Sequence, residues 1–211
     1  MTSQLKSVFL SAALTAMILP AAAQSATPTP TPVDPKPPIK KELPVGERKE
    51  IQQQRIGNGI QDGQLTSGEA SNLEKKESEL NQESRDMRKL DGGKLTAQDK
   101  ATLEKQQNRL SHQIYRDKHN AATQNTNPKS EVGKREENQQ DRISQGVKSG
   151  QLTPAEASRL EHQEAGLNHE VKDMRQDNGG KLTPAEKAKV NRQENRESGR
   201  IYRAKHNARR Q

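Results

Sequence analysis

Histidines, and a tyrosine–arginine segment that occurs twice, are the residues of this chain whose types and spacing could do chemistry. There are five histidines: His112, His119, His162, His169 and His206. His112 and His119 are seven residues apart, as are His162 and His169, which along a helix is about 10.5 Å. That is too far for one ion to be chelated within a helix, so zinc or copper would need a second helix to complete its ligand set. None of the five sits in a context that suggests an acid–base pair. There is no cysteine nucleophile and no phosphate-binding loop. We expect neither an enzyme nor a resident cofactor.

Carboxylates recur in a fixed setting, Gly-x-Leu-Thr-x-x-acid, beginning at Gly63, Gly93, Gly150 and Gly180 and ending at Glu69, Asp99, Glu156 and Glu186. The pattern is like the second half of a calcium loop, so the ligand positions can be counted back from each glycine. They fall on Asn58, Ile60 and Asp62; on Arg88, Leu90 and Gly92; on Gln145, Val147 and Ser149; and on Arg175, Asp177 and Gly179. Calcium needs several oxygen ligands, commonly carboxylates, and no loop supplies a set. The same residues make sense as a helix stop followed at once by a helix start. Glycine takes the left-handed conformation that ends one helix, and threonine caps the next with an acid three residues on. Asp99 is the shorter variant of that box. Pro154 and Pro184 stand at first helical positions, where the missing donor does little harm.

The tyrosine–arginine segment reads Ile114-Tyr115-Arg116-Asp117-Lys118-His119-Asn120 and again Ile201-Tyr202-Arg203-Ala204-Lys205-His206-Asn207. Lysine and histidine near a helix C-terminus complement its dipole, and asparagine can end the helix. A tyrosine ring can also anchor one helix on its neighbour. Tyrosine and arginine are equally the residues favoured at binding surfaces, and lysine adds attraction for anions. Tyr115, Arg116, Lys118, His119, Tyr202, Arg203, Lys205 and His206 are therefore the candidate interaction surface.

The elements that position these residues follow from a repeat. Residues 48–121 overlay residues 135–208 without a gap at an offset of 87, with 41 of 74 positions identical. Ungapped identity means that loops and helices alike have kept their lengths, so a function belongs to the repeated unit. Each copy reads as three helices, over 47–61, 67–89 and 97–119, then 134–148, 154–176 and 184–206. Ala157, Leu160, Leu167, Val171 and Met174 form one apolar stripe, matched by Ala70, Leu73, Leu80 and Met87. Leu103, Leu110 and Ile114 mark the third helix, with Val190, Glu197 and Ile201 as a poorer match. The stripe is narrow, so one copy alone should be marginally stable and need contact between copies or self-association. The fold expected is all-α, a tandem repeat of two three-helix units built from helical hairpins, over 47–121 and 134–208. A Pro-rich linker precedes the first unit, and residues 122–133, with Asn127-Pro128 and Gly133, separate the two.

Residues 1–23 read as a secretory signal, with Lys6 in a positive start, an apolar run from Val8 to Pro20, and Ala21-Ala22-Ala23 before an expected cut after Ala23. The run is too short to span a bilayer, which takes about 20 apolar residues. Residues 24–46 hold Thr27-Pro28-Thr29-Pro30-Thr31-Pro32, Pro35, Pro37 and Pro38, a polyproline spacer. The chain has no cysteine and carries a net charge of +8. In a cytoplasmic protein such a charge would suggest nucleic acid. Export to a periplasm or beyond changes the expected partners to periplasmic proteins and envelope polyanions, with membrane-surface contact and self-association open and nucleic acid excluded. The charges are interleaved, as in Lys134-Arg135-Glu136-Glu137, and read as a solvated helix face.

The stretches Leu65 to Glu69, Leu95 to Asp99, Leu152 to Glu156 and Leu182 to Glu186 resemble the Leu-Thr-x-x-Gln motifs of the Spy/CpxP-type periplasmic stress proteins, with an acid where those have Gln. That resemblance implies helical hairpins and a chaperone or metal-stress role in the periplasm. The tandem unit also resembles exported bacterial repeat proteins, a likeness that carries no activity with it. The expected function is a non-enzymatic, chaperone-like or polyanion-binding helical repeat protein, with periplasmic metal binding as the alternative.

Overall fold

Four threonines begin four of the helices. In a computed structural model that describes residues 43–124 and 129–210, Thr66, Thr96, Thr153 and Thr183 each cap a helix with a complete capping box. Each threonine Oγ1 accepts the N–H of the acid three residues on, and that acid accepts the threonine N–H at 2.8–3.1 Å. Two orphan donors are thereby satisfied at each helix start. Asp99 closes its box as fully as the glutamates do, although its side chain is shorter.

Gly63 and Gly150, at φ of 65° and 69°, turn the chain just before Leu65 and Leu152. In each case the left-handed conformation allows the leucine N–H to reach back and bond the carbonyl of Gly59 or Gly146, at 2.9 and 3.0 Å. The leucine side chain then lies on that same glycine. A Cβ on Gly59 would sit 2.7 Å from Leu65 Cδ1, and one on Gly146 would sit 2.6 Å from Leu152 Cγ. Both leucines are completely buried as a result.

Among the described residues there are six helices and no strand: α1 Val45–Gln61, α2 Ser67–Leu90, α3 Ala97–Lys118, α4 Glu131–Lys148, α5 Pro154–Asp177 and α6 Pro184–Lys205. The all-α class is thus observed. α4 starts at Glu131, three residues ahead of the expected 134. Ser130 supplies a cap by accepting the Gly133 N–H at 3.0 Å, and Val132 is buried behind it; together these outweigh the poor helical propensity of Gly133. The expected signal at 1–23, most of the Pro-rich linker, Asn127-Pro128 and Gln211 lie outside the described residues.

The six helices belong to one compact unit. α1, α2 and α3 touch one another, as do α4, α5 and α6, while the most extensive contacts run between α2 and α5 and between α1 and α4. These cross-contacts join residues to their own repeat counterparts. Ser71 meets Ser158, the Ser144 hydroxyl donates to the carbonyl of Gly57, counterpart of Ser144, at 2.8 Å, and Lys148 bonds its counterpart Gln61. One apolar cluster spans all six helices' inner faces through Ile56, Leu73, Ile114, Ile143, Leu160 and Ile201 among others, and a smaller one joins Val132, Leu167, Val171 and Val190. No helix among the described residues is long and apolar enough to cross a membrane.

Candidate anion-binding surface

The two tyrosine–arginine segments form the last turns of α3 and α6, and the structure divides their residues between packing and solvent. Ile114 and Ile201 are completely buried. Asn120 and Asn207 donate to Glu69 and Glu156 at 2.6 and 2.7 Å, so these two capping-box acids also tie down the chain just beyond α3 and α6. Lys205 donates to the Arg142 carbonyl at 3.1 Å, and the stem of Lys118 lies against Gly59. Burial, with Arg142 alongside, holds the Lys205 ammonium below its usual range. Of the eight residues expected to form a binding surface, the two lysines therefore serve as clamps on α1 and α4.

The remaining six are exposed. Tyr115 stacks on His119 with ring centroids 4.2 Å apart, and Tyr202 stacks on His206 at 4.1 Å. His119 and His206 hold their Nδ1 atoms 2.7 Å from the carbonyls of Tyr115 and Tyr202. A carbonyl can only accept, so Nδ1 carries a proton in each ring and fixes its orientation. The two stacks are rigid aromatic knobs with more than half of each tyrosine in solvent.

Arg116 and Arg203 line grooves. The first, about 570 Å³ between α2 and α3, presents Lys76, Arg109, His112 and Arg116 beside Glu79 and Glu83. The second, about 600 Å³ between α5 and α6, presents Arg159, Arg200, Arg203 and Arg209 with one carboxylate, Glu156. Arg209 lies 3.6 Å from Glu156 and Arg200 is paired with Glu197. The second groove is the more strongly cationic, and a planar guanidinium suits phosphate or carboxylate groups in a way that lysine does not.

The histidines are not assembled into a metal site. Among the described residues, no group of three or more histidines and carboxylates is placed to hold an ion. His169 instead pairs with Asp173 at 2.8 Å, one turn away on the same helix. The four Gly-x-Leu-Thr loops use their acids as caps, as the helix-stop, helix-start pattern predicts.

The reading of the charges as a solvated face fails at one set of residues. Glu74, Glu77, Glu136, Glu161, Glu164, Glu194 and Glu197 are each no more than 5% exposed, where glutamate is almost never found unless paired. Gln53 donates to Glu74 at 3.1 Å and its counterpart Gln140 donates to Glu161 at 3.3 Å. Both oxygens of Glu164 and of Glu194 lack a hydrogen bond. Burial pushes Glu77, Glu136 and Glu194 up to about 7, Glu161 to about 8 and Glu164 to about 9. Glu74 is likewise raised well above the usual range, by burial first and then by neighbouring carboxyls. A sequence signal for this exists: Glu74 and Glu77 lie four residues after Ala70 and Leu73, which puts them on the apolar stripe. Comparison with known protein families, with curated proteins and with solved structures finds no match for the chain.

Proposed function

We propose that this is an exported, non-enzymatic helical repeat protein that binds anionic envelope polymers through the arginine-lined grooves. Its fold is read as two equivalent three-helix units joined face to face. Support for the two units comes from the contacts between residues 87 positions apart, which are those of a self-complementary interface within one chain. Export is read from the signal-like residues 1–23, and the resemblance to Spy/CpxP-type proteins is consistent with a periplasmic role in envelope stress.

The observation that carries the binding reading is the groove between α5 and α6, where Arg159, Arg200, Arg203 and Arg209 surround about 600 Å³ with Glu156 as the opposing charge. The exposed Tyr202–His206 stack adjoins Arg203 in the chain but lies outside the residues that line the groove, so a ligand with sugar rings and acidic groups that extends past the groove would meet both aromatic and cationic contacts. Lipopolysaccharide and peptidoglycan both offer that combination. An unfolded acidic client would be bound by the charge alone.

The test is pull-down of the full chain on lipopolysaccharide and, separately, on peptidoglycan across a salt series from about 20 to about 500 mM, over which the screening length shortens about fivefold. Binding should fall steeply with salt and should weaken about tenfold or more on Arg203→Ala combined with Arg159→Ala. Binding that ignores salt, or that survives the double substitution unchanged, rules the reading out. Zinc, copper and nickel titrations decide the metal alternative, which no cluster of ligands among the described residues favours.

A further inference from the structure

The buried glutamates are distributed unevenly. Glu136 on α4, Glu161 and Glu164 on α5, and Glu194 and Glu197 on α6 face one interior. Their repeat counterparts on α1, α2 and α3 are Lys49, Glu74, Glu77, Gln107 and Leu110. Three acids of the α4–α6 interior thus replace a lysine, an amide and an aliphatic side chain. The asymmetry cannot be a requirement of the fold, since α1–α3 builds the same arrangement without it.

The hydrogen-bond inventory of the interior lacks donors. All sixteen buried side-chain polar atoms without a partner among the described residues are oxygens. Buried acceptors without donors are costly, and a carboxylate in that state costs still more. A protonated carboxyl removes the charge and contributes one O–H, which could serve acceptors such as the Gln139 and Gln140 side-chain oxygens.

The cations that face the cluster are few. Arg135 on α4 approaches Glu194 at 3.7 Å, Arg200 on α6 pairs with Glu197, and Arg175 on α5 acts on Glu136. From α2, Glu74 adds a like charge next to Glu161, and the nearby Ser67 side chain favours the charged form of Glu161. From α1, Gln53 bonds Glu74, and the ammonium of Lys49 acts on Glu77 and Glu74 while burial holds it below its own range. Glu131 at the start of α4 adds a further negative charge near Glu194. Glu164 itself is surrounded by Glu161, Glu197, Glu136 and Glu194. The four largest neighbouring charges on Glu164 are thus all of its own sign.

We propose that the α4–α6 interior is a proton-held latch. Protonated, Glu136, Glu161, Glu164 and Glu194 pack; as they ionise with rising pH, α6 loosens from α4 and α5 and uncovers the apolar face of Leu167, Val171 and Val190. The direction follows from linkage. A glutamate free in the unfolded chain releases its proton near pH 4.5, whereas these hold theirs to about 7–9. The folded state therefore binds more protons across that interval, and the stability these carboxyls contribute is complete below about pH 4.5 and is lost as pH rises through about 7–9. The chain would be tightest in mild acid and would present a new apolar surface when returned to neutral or alkaline conditions. The latch rests on the buried carboxyls alone, although loosening α6 would also open the groove between α5 and α6 that Arg200 and Arg203 line.

Thermal unfolding of the full chain, followed by circular dichroism at pH 5, 6, 7, 8 and 9 and constant ionic strength, is the test. Tm should fall by more than about 10 °C from pH 5 to pH 9. Amide exchange at pH 8 should be faster in α6 than in α3, its counterpart. The variant carrying Glu194→Gln and Glu197→Leu, the residues that α3 already holds at those places, should lose at least half of the pH dependence and melt higher at pH 9. The isosteric Glu164→Gln variant supplies the same readout if the double substitution does not fold. A Tm that stays level or rises from pH 5 to pH 9 in the unsubstituted chain overturns the latch, as does an unchanged slope in Glu164→Gln.

Discussion

Ser71 and Ser158 exchange hydrogen bonds across the crossing of α2 and α5: each hydroxyl donates to the other residue's backbone carbonyl at 2.9 Å. They are counterparts 87 residues apart, so each gives the other what it receives, as in the centre of a two-fold dimer interface. Small side chains there let two helices of charged residues approach closely. Ser71→Ala should cost about 1 kcal/mol, one net hydrogen bond. Ser71→Leu should cost about 1–3 kcal/mol through overpacking. Urea unfolding of the two variants measures both, and equal midpoints for Ala and Leu would show that the crossing is not tight.

Gly146 tests a second close approach. Alanine in place of glycine within a helix ordinarily stabilises it by about 0.5–1 kcal/mol. At Gly146 the new Cβ would meet Leu152 Cγ at 2.6 Å, so Gly146→Ala should instead destabilise by about 1–3 kcal/mol. Gly166, mid-helix in α5 with nothing within 4 Å of its Cβ position, is the control, and Gly166→Ala should stabilise. The opposite signs make the pair informative in a single denaturation experiment.

What the sequence disclosed and what it withheld follow from the range of the forces involved. The junctions at Thr66, Thr96, Thr153 and Thr183 were legible because a capping box is closed by residues three apart, and the positive-φ glycines precede it locally. Leu73 and Leu160 were legible through their period. Glu74 and Glu161 were not, because a glutamate among lysines and glutamines on a charged helix looks solvated until a partner helix covers it. Both occupy stripe positions, but the charge of a glutamate masks that placement in a sequence this rich in charged residues. Lys118 and Lys205 show the converse: their charge suggested a ligand surface, whereas their long stems lie on α1 and α4.

That division between Lys205 and Arg203 can be checked in one experiment. Lys205→Ala removes the clamp on the Arg142 carbonyl and should lower stability by about 1 kcal/mol while leaving lipopolysaccharide capture within about twofold. Arg203→Ala removes an exposed groove residue and should leave the midpoint of unfolding within about 0.5 kcal/mol while weakening capture. If Lys205→Ala abolished capture and left stability intact, the lysine would belong to the binding surface after all.

The capping acids respond to pH in the sense opposite to the interior glutamates. The Thr96 hydroxyl and N–H hold Asp99 below its usual range, and the Thr183 N–H and hydroxyl do the same for Glu186. A group whose folded form gives up its proton more readily stabilises the fold above its unfolded value and loses that contribution as pH falls through the folded one. Below about pH 4 the starts of α3 and α6 should therefore fray, and helicity should decline although the interior carboxyls are then fully protonated. Thr96→Ala and Thr183→Ala remove the hydroxyl that distinguishes the charged acid, so they should lower helicity at pH 6 and reduce the further loss between pH 5 and pH 3. Circular dichroism of the wild-type chain and the double variant across that range decides it: an identical acid limb in both would mean that protonation at some other carboxylate drives the loss.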